Sequence, residues 1–90
     1  MRGEKSDLGR GRSPELDLHG MTVNEAKSEI DSFLIEQINA GNGLVKIIHG
    51  WGTGKLQSEI SSYLKTHPDV KQIHPPVRPG EASFLIEVNL

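Results

Sequence analysis

The sequence predicts an α/β fold, a two-layer βαβαββ sandwich with a four-stranded mixed sheet and two helices on one face. Two segments carry apolar residues at three- and four-residue steps, and four shorter ones alternate or run apolar as strands do. Glycine or proline punctuates the junctions between them. At 90 residues the chain has room for one core. Cysteine is absent, which excludes disulfides and thiolate metal sites and makes the cytoplasm the default expectation. No apolar run approaches the roughly 20 residues of a membrane helix, and Met1 to Lys5 lead into polar sequence, so no membrane partner is expected.

Residues 1–14 hold three glycines, Pro14 and mixed charge, with Leu8 their sizeable apolar residue after Met1. They read as a flexible N-terminal arm of net charge +2, whereas residues 15–90, the folded domain, carry −4. An acidic body weighs against strong general binding to nucleic acid, where affinity comes largely from neutralised phosphates.

Glu15 to His19 alternates polar and apolar, as a half-buried strand does, with Leu16 and Leu18 inward and Asp17 and His19 on the opposite face. Thr22 and Glu25 form a capping box, and the stripe Val23, Ala26, Ile30, Phe33, Leu34, Ile38 runs on to the stop Gly41-Asn42-Gly43. Leu44 to Ile48 is nearly continuous apolar sequence, the mark of a central strand. Leu56, Ile60, Tyr63 and Leu64 make a second helical stripe ahead of Pro68. Val70 to Ile73 and Ser83 to Leu90 read as strands around an irregular loop with Pro75-Pro76 and Pro79-Gly80. Two strand-helix-strand crossovers predict parallel pairing of the first three strands, with the last antiparallel.

The loop His49-Gly50-Trp51-Gly52-Thr53-Gly54 precedes the second helix, and Lys55 follows it. Neither nucleotide motif fits. A Walker A loop would need glycine where His49 stands and Ser or Thr where Leu56 stands, and a dinucleotide fingerprint would need glycine at Lys55. The loop still suits either an anion held on helix-start amides or a plain tight turn. Trp51 suits stacking on a base or ribose as well as covering the turn. Asp17 and His19 have the spacing of an ordinary exposed strand face, but also that of an orienting carboxylate beside a general base. If the first two strands are parallel, His49 leaves the sheet at the same edge, where open α/β sheets place their sites. No pair of histidines has helical ligand spacing, so no dedicated metal site is expected, although Asp17 could hold a transient Mg²⁺. His67 and His74 read as structural or solvent-facing.

Leu16-Asp17-Leu18-His19-Gly20, followed some thirty residues later by His49-Gly50-Trp51-Gly52-Thr53-Gly54, resembles the paired signature of the Smr (small MutS-related) domain over residues 15–90. The resemblance implies a βαβαββ sandwich similar to the C-terminal domain of translation initiation factor three. It also implies endonuclease work, nicking DNA or cleaving RNA, with Asp17 and His19 as the catalytic pair. His49, Gly50, Gly52 and Gly54 would bind the backbone phosphate, and Lys55 could neutralise it by charge and position. Alternatives are a non-catalytic module that binds nucleic acid or the ribosome, and an interaction domain of a larger repair factor. Many family members carry a glycine-rich turn before the last strand, where this chain has Pro79-Gly80-Glu81-Ala82-Ser83.

Overall fold

The computed structural model describes residues 13–50, 52, 54–74 and 82–90; most of the predicted arm, Trp51, Thr53 and the proline loop at 75–81 lie outside the described residues. Six elements follow in the predicted order: β1 (Glu15–Asp17), α1 (Val23–Ala40), β2 (Leu44–Ile48), α2 (Lys55–Lys65), β3 (Val70–His74) and β4 (Ser83–Val88).

The first strand is shorter than the predicted Glu15 to His19 because its own side chains end it. The Leu18 N–H still donates to the Ile48 carbonyl (2.7 Å), but the His19 N–H turns to the Asp17 carboxylate (3.0 Å). The Leu18 carbonyl then accepts the Met21 N–H (3.1 Å), closing a turn in which Gly20 takes φ 79°, the position a type II turn reserves for glycine. At α1 the capping box is reciprocal, with Thr22 Oγ1 accepting the Glu25 N–H (3.1 Å) and Glu25 Oε1 accepting the Thr22 N–H (2.9 Å). Gly41, left-handed at φ 78°, closes the same helix.

The sheet order is β1-β2-β4-β3. β1 pairs with β2 in parallel as expected, but β3 does not join them, because β4 lies between β2 and β3 and runs antiparallel to both. The predicted parallel pairing of three strands is therefore corrected to one parallel pair. The physical reason lies in burial. Ile86 and Val88 are buried on the face they share with Val45 and Ile47, and a strand that apolar belongs at the centre of the sheet.

A single core joins that face to both helices. Leu18, Ile30, Leu34, Val45, Ile47, Ile60, Leu64 and Ile86 are fully buried, each contributing roughly 1.5–3 kcal/mol of transfer free energy. The opposite face carries the register row Glu15, Lys46, Leu85, His74, where the His74 Nε2–H donates to Glu87 Oε2 (2.5 Å).

Beyond the core, the helices are tied by a polar cluster that sequence spacing could not reveal. Asp31 Oδ1 on α1 accepts from Tyr63 Oη on α2 (2.6 Å) and from His67 Nε2 (2.9 Å), while His67 Nδ1 accepts the Asp69 N–H (3.1 Å). Both ring nitrogens of His67 are thus engaged in the geometry of the neutral imidazole, a structural role, with the proton on Nε2. The Tyr63 hydrogen bond holds the Asp31 carboxyl below the usual carboxylate range, and the same bond pushes the Tyr63 phenol up to about 12.

Candidate functional site

The parallel pairing of β1 and β2 sets the site. Asp17 stands in register with Ile48, so the residues that follow each strand leave the sheet side by side. Their approach is close: a Cβ on Gly50 would stand 2.6 Å from the His19 Cβ. Gly50 also adopts φ 79°, which L side chains rarely take, so glycine is required here on two counts. The two segments singled out in the sequence, Asp17-Leu18-His19 and the His49 loop, are one locus in space.

Asp17 and His19 form a local dyad. Asp17 Oδ1 accepts the His19 backbone N–H at 3.0 Å and lies 2.8 Å from His19 Nδ1. Because an ionised carboxylate can only accept, Nδ1 carries the proton in the neutral ring and Nε2 presents its lone pair outward. The backbone hydrogen bond first, and the imidazole second, hold the Asp17 carboxyl below its ordinary range. The imidazole itself is 74% exposed.

Beside the dyad lies a cleft of about 480 Å³, within the range of ligand pockets, between Gly20 to Val23 on one side and His49, Gly50, Gly52 and Gly54 to Gln57 on the other. Asp17 and His19 stand next to it and do not line it. Two helix starts meet there and differ in chemistry. α1 is closed by its capping box, whereas α2 begins at Gly54, which supplies no side-chain cap, and its first turn holds no acidic residue. The start of α2 therefore lines the cleft with the positive end of its dipole, and Lys55 at the first helical position adds a full charge.

His49 is 6% exposed, and its placement is set by three contacts. Its backbone N–H donates to the Ala82 carbonyl (2.9 Å), its Nδ1–H donates to the Gly50 carbonyl (2.8 Å), and its ring lies 5.1 Å from that of Phe84. Phe84 is a residue the sequence reading missed. It lies in a segment read simply as a terminal strand, and nothing local linked it to His49. Gly52 and Gly54 are exposed with open space where a Cβ would stand; Trp51 and Thr53 lie outside the described residues. Among the described residues no three His, Asp or Glu side chains converge as a metal centre requires. Among the same residues no helix is long and apolar enough to cross a membrane.

Comparison with known proteins agrees with this fold. The Smr domain family profile matches residues 16–87. The chain is 40% identical over 62 residues to the endonuclease MutS2 of Lactiplantibacillus plantarum, covering 69% of this chain and 8% of that protein. It is 40% identical over 82 residues to the ribosome rescue factor SmrB of Haemophilus influenzae, covering 87% of this chain and 49% of that one. Among solved structures, the Smr domain of Thermus thermophilus MutS2 superposes with a TM-score of 0.78 at 31% identity, covering 86% of this chain and 99% of that one. The chain thus spans about half of one curated relative and less than a tenth of the other. With its sheet order, its paired segments and this match, the chain belongs to the Smr domain family.

Proposed function

We propose that this domain cleaves phosphodiester bonds in DNA or RNA. The observation that carries the reading is the Asp17–His19 dyad pressed against Gly50 at the edge of a cleft walled by the uncapped start of α2. A backbone phosphate in the cleft would take hydrogen bonds from the α2 amides and charge from Lys55. Nε2 of His19 would remove the proton from the attacking oxygen or return one to the leaving oxygen, while Asp17 fixes the tautomer and steadies the imidazolium that forms. His49 would act as a positioning residue, its Nδ1 bond to the Gly50 carbonyl shaping the loop. Gly50, Gly52 and Gly54 would let the strand approach the backbone. MutS2 is named as an endonuclease and SmrB as a ribosome rescue factor, which supports nucleic acid as the substrate class and the ribosome or a larger repair factor as the setting.

A second reading, a non-catalytic binding module for nucleic acid or the ribosome, is favoured by one observation: the dyad lies outside the cleft lining and His19 is largely solvated. Incubation with supercoiled plasmid and with structured RNA, each with and without chelator, separates the two. Cleavage is expected in at least one substrate, falling about 100-fold or more in His19→Ala. Identical traces from wild type and His19→Ala reject the catalytic reading.

A further inference from the structure

On the far side of the first turn of α2 lies a second groove of about 280 Å³, bounded by α2 and by Phe84 on β4. Gly54 and Gln57 line both it and the main cleft, so the two are lobes of one surface around the start of α2. Its composition is unlike the rest of the helix. Phe84 is half-buried and supplies an aromatic wall; Ser58, Ser61 and Ser62 face it with hydroxyls; Lys65 stands exposed at the far end. Glu59, the one carboxylate of α2, is not among its lining residues. The groove falls below the roughly 300 Å³ at which small-molecule pockets begin, so it suits one unit of a polymer better than a whole cofactor.

We propose that this groove seats an unpaired nucleobase on Phe84, adjoining a phosphate at Gly54, so that the domain engages its nucleic acid as a single strand at this point. The proposal rests on the nucleic-acid reading of the main cleft and adds the strandedness of the substrate. An aromatic face stacks any base, and hydroxyl and amide groups that both donate and accept satisfy any base edge, which makes the seat tolerant of sequence. From Gly54 to Lys65 the helix rises about 16 Å, so Lys65 would meet a phosphate further along the strand while the α2 amides hold the first. In a duplex both faces of the base are stacked and its edge is paired, so a duplex cannot fill the groove without releasing that base.

The test uses fluorescence anisotropy of the full chain at one salt concentration. The probes are a labelled single-stranded oligonucleotide, a series in which one abasic position moves along it, and a duplex of equal length. One abasic position is expected to weaken binding about fivefold or more, and Phe84→Leu to weaken binding of the intact strand similarly and lose that dependence. Ser58→Glu, on the exposed face of α2 away from the core, is expected to weaken the intact strand likewise, and it decides the matter if Phe84→Leu does not fold. Strand binding that is indifferent to every abasic position, or equal affinity for the duplex, overturns this proposal while leaving the main cleft as a phosphate site. A wild-type chain that binds neither strand nor duplex overturns both.

Discussion

Gly50 and His19 occupy positions so close that no side chain fits between them, a Cβ on Gly50 falling 2.6 Å from the His19 Cβ. Gly50→Ala must therefore push the loop from the dyad while also straining a backbone at φ 79°. We expect a loss of about 1–3 kcal/mol in urea denaturation and a fall in cleavage. Gly52→Ala, with open space around it, is the matched control and should be near wild type in stability.

The dyad predicts a split between catalysis and binding. Asp17→Asn should lower the cleavage rate at least tenfold at neutral pH with little change in affinity, because the imidazole loses its tautomer partner and not its contact with substrate. Carboxyl NMR should place Asp17 below its ordinary 3.8. That depression should largely persist in His19→Ala, since the first cause is the backbone N–H of residue 19, which alanine retains. A return to 3.8 in this variant would mean that the imidazole is the main cause.

Lys55 should act on phosphate alone. Lys55→Ala is expected to weaken binding evenly across sequences and to reduce the slope of log K against log salt by roughly 1. An unchanged slope would place the phosphate away from the start of α2.

The chain has one tyrosine, so its ultraviolet titration reports the Asp31–Tyr63–His67 cluster directly. Phenolate should form near pH 12 in the wild type and at lower pH in Asp31→Asn, yet still above 10 because burial also raises the phenol. The signs for stability differ at the two ends. Tyr63 is raised, so its contribution is complete below pH 10 and lost as pH rises through about 12. Asp31 is lowered, so its contribution is present above 3.8 and lost as pH falls through its folded value. Tyr63→Phe should cost about 1.5–3 kcal/mol at neutral pH, read by denaturation.

What the sequence disclosed was local. The Thr22–Glu25 capping box, the Gly41 stop and the last strand each rest on residues within a few positions of one another; the first two stand as read, and the strand, read as Ser83 to Leu90, ends at Val88. The dyad was legible for the same reason, its partners being two residues apart. The place of β4 between β2 and β3 was not, since every edge strand offers similar hydrogen bonds and the choice is made by packing across the whole core. Asp31, Tyr63 and His67 are brought together by helix packing across more than thirty residues, and Phe84 meets His49 across a similar span.

The central position of β4 bears on synthesis. As the chain leaves the ribosome, β2 and β3 emerge before the one strand that can join them, each with an edge of backbone N–H and C=O groups unpaired. The sheet, and with it the floor of the second groove, cannot close until residues 83–88 are free. Folding is thus deferred to a late step, and a pause upstream of that segment would hold an open, aggregation-prone half-sheet.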